Sequence, residues 1–246
     1  MNVKKFCRSN SARGWAPAVI LLVMACSPDF EKPALDGVWE LNRGWTNHPD
    51  DIAGTGLIPD YREYTLPEAL AAWDQQKPID DPKLRCESPT VVGVMTNIHA
   101  IAIDQSGDDV VMLYSEYFDA VRTVYMDGRE HPGAETLHSK LGHSIGWYED
   151  NTLVVETTHI SAGHSVAGGG PPHSDSLQVI ERYRAINDGR VLEQTVIMED
   201  PETFTEPVTL VNHERRAPFN ELVPFECMPL GTARGSEISP EEFYNP

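Results

Sequence analysis

Basic residues are scarce in this chain: 19 Lys and Arg stand against 38 Asp and Glu in 246 residues, a net charge of −19. A field of that sign repels phosphate backbones and anionic lipid, which argues against nucleic acid as a partner. Cysteine is scarce as well, with four in all. Internal repeats and low-complexity tracts are absent. So are H-E-x-x-H and H-x-H, the spacings that would announce a zinc site. Gly168-Gly169-Gly170, followed by Pro171-Pro172, lacks the Lys and the helix of a phosphate-binding loop, and no redox motif is visible.

The first residues differ from the rest. Lys4, Lys5, Arg8 and Arg13 form a basic start without an acid, and Trp15 to Ala25 is an apolar run too short to span a bilayer. The pattern reads as a secretory signal over residues 1–25. Ala25 directly before Cys26 resembles a bacterial lipobox, so Cys26 is expected to be lipidated and to become the mature N-terminus. A short tether over 26–34 and a single domain over 35–246 follow. Removing the four basic residues takes the net charge from −19 to −23. The protein is thus expected in the bacterial periplasm, held at the outer membrane only by the lipid anchor. With Cys7 and Cys26 assigned to the signal, Cys86 and Cys227 are the only mature pair, and an oxidising compartment predicts a disulfide between them.

Strand signals dominate the domain. Asp36 to Leu41 reads as a first strand, and its Gly-x-Trp resembles the start of lipocalin-type barrels. Thr65-Leu66-Pro67-Glu68 has the form of a capping box opening one early helix through about Gln76. From Asn97 onward the hydrophobic period is two: Ile98 to Asp104, Val110 to Tyr117, Val121 to Met126, Leu153 to His159, Leu177 to Ile186, Val191 to Met198 and Val208 to His213. "YEDN" and "NDGR" are hairpin turns. The expected fold is therefore mainly β, an antiparallel up-and-down, lipocalin-like barrel or a strongly curved sheet with one early helix.

Gly142-His143-Ser144-Ile145-Gly146 fits the G-x-S-x-G pattern of serine hydrolases. That pattern works at a strand-to-helix elbow, whereas here Ser144 lies near the start of a hairpin and no alternating βα pattern surrounds it, so a serine hydrolase is not expected.

Four blocks, "RTVYMDGREHP" (122–132), "GHSIGWYEDNTLVVETT" (142–158), "HSDSLQVIERY" (173–183) and "EDPETFTEP" (199–207), together resemble a broad family of uncharacterised exported bacterial proteins. The similarity runs from about Cys86 to Cys227 and implies export, with no activity attached. Asn151 departs from the family, which usually has an acid in that turn.

Chemistry has to come from the residues. Six of the nine histidines (His131, His138, His143, His159, His164 and His173) fall between positions 131 and 173. A metal site is one reading, since imidazole suits zinc, iron or copper; without a ligand spacing it takes second place to a cofactor-free site. His143 is in phase with Ile145 and Trp147, and Glu181 with Leu177, Val179 and Tyr183. If these faces form the barrel interior, the two are an acid/base pair, with Arg129, His131, Trp147 and His173 binding substrate. The structural alternative for Glu181 is an ion pair with Arg122 or Arg184. The expected function is an acid/base enzyme (lyase, isomerase or hydrolase) acting on a small, partly apolar molecule in a barrel pocket. Alternatives are a carrier with the same pocket and no chemistry, and an envelope-structural protein, which leaves the His and Arg cluster unexplained.

Overall fold

The computed structural model describes residues 32–41, 60–77, 81–164, 171–217 and 221–229. The expected signal segment, Cys26, the expected tether up to Glu31 and Gly168 to Gly170 lie outside them. Among the described residues, no helix is long and apolar enough to cross a membrane.

Nine strands close a barrel. In chain order they are β1 (Gly37–Leu41), β2 (Ile101–Asp104), β3 (Val110–Ser115), β4 (Ala120–Tyr125), β5 (His143–Glu149), β6 (Thr152–Thr158), β9 (Gln178–Ile186), β10 (Val191–Glu199) and β11 (Val208–Arg216), which returns to β1. A separate ribbon, β7 (Gly163–His164) with β8 (Pro172–His173), interrupts the order between β6 and β9. The expected mainly-β barrel is what forms.

Its odd strand number has a geometric consequence. Nine strands in a ring cannot alternate direction all the way round, so one adjacent pair must be parallel. That pair is β4 with β5, where Val124 lies opposite Ser144 and Tyr125 opposite Ile145; the other neighbours are antiparallel. A parallel pair needs a crossover rather than a tight hairpin. Residues 126–142 therefore leave the end of β4, run over the outer wall and return to start β5. This segment carries Asp127, Arg129, His131 and His138.

Inside, alternate residues of each strand fill the barrel. Trp39, Leu113, Leu153, Val155, Tyr183, Leu192, Gln194 and Met198 are 0% exposed. Burying a large apolar side chain contributes about 1.5–3 kcal/mol, so this layer dominates stability. Trp39 also satisfies its indole N–H, which donates to the Leu35 carbonyl at 2.8 Å. Below it, Arg216 stacks at 4.2 Å and donates to the Asp36 carbonyl. The folded unit already holds Lys32, whose ammonium donates to the carbonyls of Gln105 and Gly107.

The early helix differs from the sequence reading at its start. Thr65 is no N-cap: its hydroxyl donates to the Tyr61 carbonyl at 2.7 Å, closing a short helical turn, α1 (Tyr61–Tyr64). The helix α2 (Pro67–Asp74) then begins at a proline, with Leu66 at the cap position and no capping side chain. Proline supplies the fixed φ and the missing N–H of a first turn, which does the work the capping box was expected to do.

Cys86 and Cys227 form a disulfide, with Cα atoms 5.8 Å apart and a sequence separation of 141. Beside it the segment 221–229 is tied to the barrel end: Val223 N–H donates to Glu116, Phe225 N–H to Asp119, and the Phe225 ring packs edge-on against Tyr117 and His99.

Candidate functional site

The two residues expected to act together stand on opposite faces of the wall. Glu181 is inside and 1% exposed. His143 is outside, because the inward residues of β5 are Ser144, Gly146 and Tyr148 rather than the apolar-looking His143, Ile145 and Trp147 set. The cause is the company Glu181 keeps. Arg122 of β4 donates to both carboxylate oxygens, at 3.1 and 2.7 Å, and its second nitrogen also reaches Thr157 Oγ1 (2.9 Å) and Ser144 Oγ (3.1 Å). A buried ion pair is costly unless its remaining hydrogen-bonding positions are filled; β5 and β6 present hydroxyls at that level, and of the guanidinium nitrogens Nε alone is left without a partner. Tyr183 O–H donates to Glu181 at 2.6 Å, Gln194 donates to Tyr183, and Asn212 donates to Gln194. Burial works against a charged Arg122, but the Glu181 carboxylate outweighs it and raises its pKa. Side chains at 0–3% exposure leave no water-sized space at their surfaces, so the pocket expected around Glu181 is not found among the described residues.

This network also accounts for the G-x-S-x-G pattern. Ser144 is 3% exposed and belongs to the Arg122 shell. Gly142 has φ +66° where it ends the crossover, and a Cβ there would sit 2.5 Å from the Thr158 carbonyl oxygen. A Cβ on Gly146 would meet Val124 and Met126 at 2.7 and 2.8 Å.

On the outer wall the crossover brings histidines together. His131 Nδ1 lies 2.9 Å from His143 Nδ1. His143 stacks on Tyr125, and the Arg129 guanidinium lies 3.7 Å from the other ring's centroid in the same column. His159 sits 6.3 Å from His131 between ring centroids and pins the segment: its Nε2 meets the Gly133 carbonyl at 3.1 Å, and its own carbonyl accepts from Ser139 N–H. His138 packs edge-on against His159. Glu156 of β6 faces the pair, its Oε1 3.9 Å from His131 Nε2, a nitrogen that is buried and without a hydrogen bond.

Burial lowers the pKa of His131, and His159 lowers it further. Burial likewise lowers that of His143, helped by His131, His159 and Arg129. Both imidazoles are therefore neutral near pH 7 and able to accept a proton. Arg129 is occupied: three hydrogen bonds to Asp127, of 2.6–3.1 Å, fix its guanidinium and hold the Asp127 carboxyl down at about 2.

The other expected binding residues are elsewhere. Trp147 is on the same outer strip but four residues beyond His143 along β5, 38% exposed, its indole N–H donating to Glu149. His173 is 3% exposed and away from the cluster: Nδ1 meets the Ser174 carbonyl at 2.9 Å and Nε2 the Thr90 hydroxyl at 2.8 Å. It ties β8 to the start of the helix α3 (Val91–Met95). Of the sequence candidates, His131, His143 and Arg129 thus converge, and Glu181, His173 and Trp147 do not. Glu156 and Tyr125 are the additions. Glu156 was reachable from the turn: a two-residue "YEDN" hairpin sets Ile145 opposite Glu156 and His143 opposite Thr158, the observed register.

Among the described residues, no group of three or more His, Cys, Asp or Glu side chains is arranged to hold a metal ion. A concavity of about 810 Å³ lies at the barrel rim between Leu66, Phe204, Gln178 and the carboxylates of Glu199 and Glu206. No family model, curated protein or solved structure matches the chain.

Proposed function

We propose that this is an exported, lipid-anchored bacterial protein whose working site is an acid/base centre on the outer wall of the barrel, with His143 as the base and His131 behind it. The observation that carries the reading is the pair of neutral, part-buried imidazoles 2.9 Å apart, backed by Glu156. A structural histidine pair has no need of a carboxylate beside an unbonded nitrogen; a proton relay does. Tyr125 and Ile145 continue the strip toward Trp147, which suits a small, partly apolar molecule. Proton transfer at such a molecule leads to isomerisation, elimination or hydrolysis, and needs no cofactor. Export is supported by the basic start, the apolar run before Cys26 and the Cys86–Cys227 bridge.

The test is a screen of small aromatic, terpenoid and ester compounds against the mature protein, followed by His143→Gln. Turnover is expected to fall by about 10²–10⁴ with the melting temperature unchanged. Turnover untouched by the substitution would sink the assignment. A second reading, a carrier without chemistry, is favoured by the rim concavity, whose apolar floor and unpaired Glu199 and Glu206 suit a molecule with a cationic end; binding lost on Phe204→Ala, and kept in His143→Gln, would support it.

A further inference from the structure

A hydrogen bond between two Nδ1 atoms constrains both rings at once. One must carry the proton and the other must be bare, so the neutral pair holds opposite tautomers. Two arrangements satisfy this. If His131 donates, its Nε2 is a bare lone pair, buried, unbonded and aimed at the Glu156 carboxylate 3.9 Å away. If His143 donates, His131 carries its proton on Nε2 and turns an N–H dipole toward the same oxygen. Coulomb's law favours the second arrangement, and at this distance part-burial leaves the interaction little screened.

The other groups around the pair do not break the tie. His159 is committed on both nitrogens, accepting from the Thr158 hydroxyl and donating to the Gly133 carbonyl. Arg129 bonds Asp127 through Nε and Nη2 rather than either ring, and Tyr125 offers a ring face to His143. His138 touches His159 rather than the pair.

We infer that Glu156 is a positioning residue that orders the protons of the dyad, holding His131 as the Nε2–H tautomer and His143 as the Nδ1–H tautomer, so that the free lone pair of His143 Nε2 is the base. The inference rests on the acid/base reading of this site. The substrate class it implies is a molecule with a weakly acidic proton. The substrate's X–H bond breaks, an N–H bond forms at His143 Nε2, and the electron pair stays on the substrate. The positive charge left on His143 is shared as its Nδ1 proton moves toward His131, whose Nε2 proton moves toward Glu156. Return of the proton to another substrate atom or to a leaving group closes the cycle without oxidant or co-reactant.

Side-chain ¹⁵N NMR of the mature protein at a pH where both rings are neutral reads the tautomers directly. His173, whose Nδ1 faces the Ser174 carbonyl, is an internal reference for the Nδ1–H form. In the wild type, His143 is expected as Nδ1–H and His131 as Nε2–H, with a preference of about tenfold or more. In Glu156→Ala that preference falls toward unity while His173 does not change. A wild-type His143 in the Nε2–H form, or tautomers indifferent to Glu156→Ala, overturns the inference even if His143→Gln abolishes turnover. Ordered tautomers in a protein that turns nothing over uphold the role of Glu156 and refute the catalytic reading instead.

Discussion

Glu214 is the sharpest test of how this barrel handles charge. It faces inward from β11, in register with Leu192 and Leu41, and is 3% exposed with Oε2 unbonded. Burial alone pushes its pKa from the ordinary 4.5 to about 8. Between those values the unfolded chain is ionised and the folded barrel keeps the proton, so stability is fully present below pH 4.5 and declines as pH rises toward 8. At 1.36 kcal/mol per pH unit, the loss between pH 4.5 and pH 7 is about 3 kcal/mol. Glu214→Gln removes the titration and keeps the shape. Urea unfolding of the disulfide-intact mature protein at pH 4.5, 6 and 7 gives the comparison. The difference between variant and wild type is expected to grow in the variant's favour by about 3 kcal/mol over that range. Packing effects of the amide, and the titration of the histidines, are common to the series and drop out of the change with pH. Parallel stability curves would refute the reasoning, since a carboxyl that ionises freely has to be solvated or paired.

Glu181→Gln or Arg122→Met, each leaving a buried partner uncompensated, should lower stability by about 3–5 kcal/mol in the same assay, while the double replacement by apolar residues should recover much of it. An unchanged stability in either single variant would mean that water reaches the pair. For an acid/base His143, kcat/KM should rise with pH through a midpoint below 6.5, since burial, the neighbouring imidazoles and Arg129 lower its pKa; a midpoint above 6.5 contradicts the neutral-base reading. Opening the Cys86–Cys227 bridge should cost about 5 kcal/mol in the chain-entropy picture for a loop of this length, and unreduced peptide mass spectra should show the pair linked. Cys26→Ser should abolish lipid labelling and release the protein from membranes; unaltered labelling would reject the anchor.

The strands were legible because β-branched and aromatic runs such as "VVMLY", "TLVVETT" and "VLEQTVIM" end at turn residues, although Thr152 to Val155 are buried on both faces rather than in alternation, and the two-residue turn at Asp150-Asn151 fixes a register that can be counted outward. The parallel seam was not. A crossover such as 126–142 has the Gly, Pro and polar composition of any long loop, and only the parity of a closed ring requires it. The face of β5 was misread for a different reason. Apolar side chains usually mark the interior, but here Arg122 has to be solvated by protein, so a serine faces in, a glycine makes room for Val124, and Ile145 is left outside. The position of Thr65 shows the same limit at short range: its hydroxyl had two candidate partners, the N–H groups ahead and the Tyr61 carbonyl behind, and tertiary pairing of Thr65 with Phe204 selected the second.

His143 and Ser144 are adjacent in sequence, yet the pleat of β5 sends them into different roles. Ser144 turns inward to a network whose members are held by burial and whose loss weakens the fold. His143 turns outward to a cluster held by the crossover, where a side chain can be exchanged at small cost to the core. One wall thus separates the stabilising network from the proposed acid/base cluster by a single residue step. That separation gives the acid/base proposal its force: the residues of the proposed relay, Glu156, His131 and His143, lie on the outer face, and the barrel that carries them is braced from within by Arg122 and Glu181. A site built this way can change its outer side chains while the inner brace stays intact, because consecutive residues of a strand answer to different surroundings.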